Sequence, residues 1–162
     1  MNKTIIAHDA AEMEEIGVDL ARDLRDGMVV SLIGPLGSGK TTLTKGIAKG
    51  LLVTDVVVSA SYLLSRDYRG RLVLHHLDAY RVGSLAEFAE VGLDRLLPPE
   101  EGVTVVEWPD RVEGIVERSD VWVKIDLLEG GARSVEITRR STRPRPPRPR
   151  SADTGRPPAG SP

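Results

Sequence analysis

Eight consecutive residues, Gly34-Pro35-Leu36-Gly37-Ser38-Gly39-Lys40-Thr41, satisfy the pattern G-x-x-x-x-G-K-[ST]. Glycines in such a run let successive backbone N–H groups turn inward around a phosphate. The lysine reaches the β- and γ-oxygens, and the hydroxyl ligates Mg²⁺. The chemistry implied is nucleoside-triphosphate binding, with Leu36, Gly37, Ser38, Gly39, Lys40 and Thr41 in the binding stretch. The loop reads phosphates only, so it leaves the choice of base open.

An ion held by Thr41 needs a further protein oxygen, which such loops take from a carboxylate at the C-terminal end of a neighbouring strand. Two acids meet that demand. Asp78 follows the apolar run 72–77, and Glu107 follows 103–106. Either fits the ion and the other the attacking water, and spacing alone does not divide the roles. His75 and His76 are adjacent, so on a strand they point to opposite faces, which argues for a core or edge imidazole and against a paired metal site. Trp108, beside Glu107, suits stacking on a base or a partner. Arg81, shortly after Asp78, is placed to meet a phosphate or a surface carboxylate.

These residues need elements to hold them. Met28 to Ile33 is a β-branched apolar run, read as a buried parallel strand, and Leu43, Ile47 and Leu51 recur at helical spacing after the loop. The helix N-terminus adds about half a positive charge where phosphates would sit. Upstream, Asp9-Ala10-Ala11-Glu12 reads as a capping box opening a helix that carries Met13, Ile16, Leu20 and Leu24. Downstream, a hairpin is expected to turn at Arg69-Gly70-Arg71, and Ser84-Leu85-Ala86-Glu87 opens another helix with Leu85, Phe88 and Ala89 for packing. Residues 120–127 and 134–138 alternate as a terminal hairpin through Glu129-Gly130-Gly131. The expected fold is α/β: a P-loop NTPase domain with a mostly parallel central sheet and an antiparallel C-terminal edge.

The chain has 162 residues, enough for one domain with its own core, and no cysteine. A disulfide framework, a thiolate metal site and a cysteine nucleophile are therefore excluded. No run approaches the ~20 apolar residues of a membrane span, and the N-terminal residues lack a signal-peptide pattern. A soluble, cytoplasmic protein without membrane contact is expected. The formal charge of -2 is uneven. Residues 141–162 carry five arginines against Asp153, with many prolines and no large apolar side chain. This tail reads as disordered outside a domain spanning 1–140, either as a plain solvated extension or as a basic arm for RNA phosphates.

Taken together, the loop, the run His76-Leu77-Asp78-Ala79-Tyr80-Arg81 and the triplet Glu107-Trp108-Pro109 resemble the TsaE family, small ATPases of bacterial tRNA N6-threonylcarbamoyladenosine biosynthesis. The likeness covers residues 4 to 139. It implies a cytoplasmic ATPase using ATP and Mg²⁺, with Lys40 neutralising the β/γ-phosphates, Thr41 and Glu107 holding the ion, and Asp78 acting at the hydrolysis centre. Thr42 would reach the nucleotide, Trp108 would join the same patch, and Arg133 would contact the nucleotide from the terminal hairpin. The resemblance also implies a TsaB–TsaD heterodimer as partner and tRNA as an indirect one, through the tail if the tail takes part. Departures from the family pattern are local. The switch reads Ser59-Ala60-Ser61-Tyr62, with alanine for the usual proline and serine for threonine, and Met13 stands where the family often has threonine.

Two other function classes fit the loop: a small nucleotide or small-molecule kinase, and a nucleotide-gated interaction protein without useful turnover. Phosphate transfer to a supplied acceptor would mark the first. A GTPase is disfavoured, because Asp67-Tyr68-Arg69-Gly70 matches D-x-x-G but no N-K-x-D follows.

Overall fold

The structure, a computed structural model, describes residues 2–141. The tail from residue 142 onward, expected to be disordered, lies outside the described residues. Ten main elements follow one another: β1 (Asn2–Ala7), α1 (Ala10–Ala21), β2 (Val29–Ile33), α2 (Lys40–Gly50), β3 (Ser65–Arg69), β4 (Val73–Asp78), α3 (Leu85–Glu90), β5 (Val103–Glu107), β6 (Val121–Leu127) and β7 (Arg133–Arg139). The strands form one sheet in the order β1-β7-β6-β2-β5-β4-β3.

The pairings correct the expected sheet. Only β6-β2, β2-β5 and β5-β4 are parallel, while β1-β7, β7-β6 and β4-β3 are antiparallel. The sheet is therefore mixed, with a parallel centre and antiparallel strands on both flanks, in place of a mostly parallel sheet with one antiparallel C-terminal edge. The C-terminal hairpin is not an edge, because β1 pairs along the outer side of β7. β1 escaped the sequence reading for a physical reason. An edge strand buries little, and of its six residues only Ala7 is fully buried, so no clean alternation marks it.

Local signals set most of the remaining boundaries. Asp9 caps α1 by accepting from the Glu12 N–H at 2.8 Å, and Glu12 reaches back to the His8 N–H at 2.7 Å. Ser84 caps α3 by accepting from the Glu87 N–H. In the central strands alternate residues serve opposite faces. Val30 and Leu32 of β2, Leu74 of β4 and Val105 of β5 join the core under α1 and α2, whereas Val29, Leu77 and Val106 join Phe88 of α3 in a second core. Burial of the α2 residues Leu43 and Ile47 stabilises the fold by roughly 1.5–3 kcal/mol per side chain.

Helices α1 and α2 cross at close range. A Cβ placed on Gly46 would lie 2.8 Å from both the Cα and the carbonyl carbon of Glu14, and one on Gly17 would lie 2.7 Å from the Ile47 nitrogen. Only glycine permits that approach, and it presses the first turn of α1 against the glycine loop: a Cβ on Gly39 would meet the Met13 Cε at 3.3 Å.

Candidate functional site

The residues singled out for phosphate chemistry meet at the C-terminal ends of β2, β4 and β5, which is where open α/β sheets present their ligand crevices. β2 runs into the glycine loop and the loop into α2. Gly37 (φ 75°) and Gly39 (φ 104°) take left-handed conformations that a side chain would strain, so glycine is required at both. Gly39 caps α2 with no side-chain hydrogen bond, leaving the backbone N–H groups of its first turn, from Lys40, Thr41 and Thr42, without an intrahelical acceptor. Leu36, Gly37, Gly39, Lys40, Thr41 and Thr42 all line a cavity of about 360 Å³. Ser38 differs: its side chain is buried away from the cavity, and its hydroxyl has no hydrogen-bond partner among the described residues.

Lys40 is nearly buried. Its Nζ donates to the Gly34 carbonyl at 2.8 Å and the Pro35 carbonyl at 3.0 Å, and it lies 3.8 Å from the centroid of the Trp108 ring. Burial holds its pKa below the ordinary lysine value, against the opposing pull of Glu107, Asp78 and Asp110. Trp108 takes up this post in a left-handed conformation (φ 59°, ψ 41°), and Tyr80 packs edge-on against its ring at 5.0 Å. The placement of Arg81 is different from a phosphate contact, since its guanidinium stacks over Tyr62 at 4.8 Å.

Thr41 and Glu107 are 66 residues apart in the chain, yet the Thr41 Oγ1 donates to Glu107 Oε1 at 2.9 Å and lies 3.3 Å from Oε2. Parallel pairing of β4 with β5 sets Asp78 opposite Glu107. Asp78 is nonetheless one layer further back: Ser61 donates to its Oδ2 at 2.8 Å and the Tyr80 N–H to its Oδ1 at 2.8 Å. Ser61 and Ser59, whose hydroxyls are 2.6 Å apart, line the cavity, so Asp78 communicates with it through them. Arg133 lines the cavity too and donates to the Gly37 carbonyl at 3.3 Å.

The two histidines do face opposite ways. His75 bonds Asp67 at 2.8 Å and the Glu101 carbonyl at 3.0 Å, on the face away from α2. His76 is fully buried on the α2 face, with its Nε2 2.9 Å from Glu107 Oε1. Sequence reasoning missed that contact, although the i, i+2 spacing of His76 and Asp78 already puts both on one face of a strand. It also missed Asp9 and Ala10 as cavity walls, since nothing local relates the first turn of α1 to the loop. Among the described residues, no cluster of three or more His, Asp or Glu side chains could hold a metal by itself, and no helix is long and apolar enough to cross a membrane.

Both the fold and the sequence have counterparts among known proteins. The crystal structure of YdiB from Bacillus subtilis superposes with a TM-score of 0.71 at 29% identity, covering 86% of each chain. The Treponema pallidum tRNA threonylcarbamoyladenosine biosynthesis protein TsaE is 33% identical over 132 residues, covering 82% of this chain and 97% of that one. Its Streptomyces coelicolor counterpart is 42% identical over 110 residues, covering 65% and 73%. The family model described as "Threonylcarbamoyl adenosine biosynthesis protein TsaE" matches residues 7–135, from the end of β1 into β7 and so across the whole parallel centre of the sheet. On that match and those relatives, the chain belongs to the TsaE family.

Proposed function

We propose that the chain is a Mg²⁺-dependent ATPase subunit required for N6-threonylcarbamoyladenosine modification of the adenine beside the anticodon of tRNA, working in the cytoplasm with a TsaB–TsaD heterodimer. The observation that carries the ATPase reading is the 2.9 Å contact between Thr41 and Glu107 at the mouth of a glycine loop whose helix N-terminus has no side-chain cap. Family membership carries the tRNA reading.

The residues present fit the ion. Mg²⁺ takes oxygen donors at about 2.1 Å in octahedral array, so neighbouring donors lie about 3.0 Å apart. The Thr41 hydroxyl lies 2.9 Å from Glu107 Oε1 and 3.3 Å from Oε2, so either carboxylate oxygen stands near that spacing from it. Two protein donors suit an ion that draws its other ligands from phosphates and water. Held by the Thr41 hydroxyl and the Glu107 carboxylate, the ion would supply positive charge against the phosphates of the nucleotide.

The chain's own groups supply the rest. The open N–H groups of Lys40, Thr41 and Thr42 point the positive end of α2 at an anion. Lys40, which lines the cavity and now donates to the Gly34 and Pro35 carbonyls, would exchange those acceptors for phosphate oxygens at the same mouth. Asp78 orients a water through the Ser61 and Ser59 hydroxyls, which stand between it and the cavity. Catalysis is then positional and electrostatic, with no covalent intermediate.

The test is to combine the purified chain with TsaB and TsaD subunits, ATP, a preformed activated threonylcarbamoyl donor and unmodified tRNA, and to follow ATP turnover and modification over several cycles. Wild type should sustain multiple turnovers. Glu107→Ala should bind nucleotide and join the complex while losing on the order of 10²-fold in hydrolysis, the scale of one transition-state stabiliser. Full modification by Glu107→Ala would refute the reading.

A further inference from the structure

We infer that His76 is a positioning residue that aims the Glu107 carboxylate at the ion site, an inference that rests on Glu107 being the Mg²⁺ ligand proposed above. His76 and Glu107 sit on adjacent parallel strands, with His76 paired to Val105 and Asp78 to Glu107, so all three side chains leave the sheet on the face that α2 covers. His76 is 0% exposed and Glu107 only 4%. A carboxylate this buried requires hydrogen-bond donors, and two are provided. The Thr41 Oγ1 and the His76 Nε2 both lie 2.9 Å from Oε1.

The two donors do different jobs. Thr41 belongs to the loop and would itself touch the ion, so its bond to Glu107 changes whenever the ion binds. His76 is walled in on β4 and touches nothing in the cavity, so its bond holds in both states. Because a carboxylate oxygen accepts, the His76 Nε2 must carry the hydrogen. The other ring nitrogen, Nδ1, is buried and makes no hydrogen bond among the described residues, so the ring's one polar contact in that set is with Glu107. A plain packing role would be served by an apolar side chain without leaving a nitrogen buried and unpartnered. Tying Oε1 from behind restricts rotation of the carboxylate and leaves Oε2 to turn toward an ion beside Thr41. Partners of this kind, which orient a metal ligand from outside the coordination shell, typically change metal affinity or activity by about 10–100-fold when lost.

The experiment uses side chains that separate the nitrogen's position from its polarity. His76→Gln places an amide N–H near the position of Nε2, whereas His76→Asn places one near Nδ1 and His76→Phe places none. For each full-length variant, the affinity for adenosine 5′-(β,γ-imido)triphosphate is measured across a Mg²⁺ titration and again in EDTA, with a thermal melt to confirm folding. The expected result is a Mg²⁺ half-saturation concentration raised about 10–100-fold in His76→Phe and His76→Asn and restored to within a few-fold in His76→Gln. Affinity in EDTA should be unchanged in all of them. On a Glu107→Gln background, His76→Phe should add no further loss, because its effect passes through the carboxylate.

An unaltered Mg²⁺ midpoint in His76→Asn, or an equal loss with and without Mg²⁺, overturns the inference and leaves the proposed ATPase intact. Should His76→Phe fail to fold, the Gln and Asn pair decides on the same criterion. A wild-type chain whose affinity for the analogue ignores Mg²⁺ overturns both the inference and the function beneath it.

Discussion

Replacing Gly46 by alanine tests how the site is held together, because Gly46 does not line the cavity and the atoms nearest its added methyl, the Glu14 carbonyl group and Cα, are backbone of α1. The added methyl would lie 2.8 Å from the Cα and carbonyl carbon of Glu14, where carbon atoms in contact normally rest about 3.5–4.0 Å apart. Both obstacles are backbone, so no side chain can swing aside and α1 must move by about 1 Å. Overpacking of this kind costs about 1–3 kcal/mol, and with helix backbone on both sides we place it near the top of that range. Alanine recovers up to about 1 kcal/mol of helix propensity over glycine, leaving a net loss of about 2 kcal/mol. For a domain of this size each kcal/mol shifts Tm by about 2–4 °C, so the melt should fall by about 4–8 °C. Because Met13 and Ala10 of α1 wall the cavity opposite the loop, the same shift should weaken nucleotide binding. Differential scanning calorimetry and nucleotide titration read both effects. Gly130→Ala is not a neutral control, since Gly130 has φ 78°, but no atom stands within 4 Å of its added methyl, so it reports strain without a clash. A Gly46→Ala protein that melts at or above the wild-type temperature would refute the claim that glycine contacts set the α1–α2 distance.

Two further perturbations probe the loop. Lys40 has a lowered pKa, so below its ordinary value of 10.5 the folded chain binds fewer protons than the unfolded one, and its contribution to stability rises with pH through that window. Lys40→Met should remove this component, and urea midpoints at pH 8 and pH 10 should show wild type gaining relative to the variant as pH rises. Trp108 holds a left-handed backbone, which costs an L-residue about 1–2 kcal/mol and glycine almost nothing. Trp108→Gly should therefore unfold at higher denaturant than Trp108→Ala, although both lose the ring over Lys40.

Much of the local architecture was legible because its causes are local. The caps at Asp9 and Ser84, the strand leading into the glycine loop and the turn at Arg69-Gly70-Arg71 each depend on residues within four or five positions of one another, and all appear where the pattern puts them. The acids Asp78 and Glu107 were legible for the same reason, as the last residues of apolar runs. β1 was not, since an exposed edge strand need not alternate, and without it the C-terminal hairpin looked like the edge of the sheet.

The amino-acid order by itself determined that this chain would carry a glycine turn between a buried strand and a helix, because backbone conformation and hydrophobic period are properties of neighbouring residues. Only the tertiary structure decided that Glu107 would meet Thr41 across 66 residues, that His76 rather than His75 would stand behind it, and that α1 would wall the cavity. Those outcomes depend on strand order, on register and on two helices meeting at glycines. Each is fixed by packing between segments far apart in the chain, where the energy of one contact depends on all the others being made.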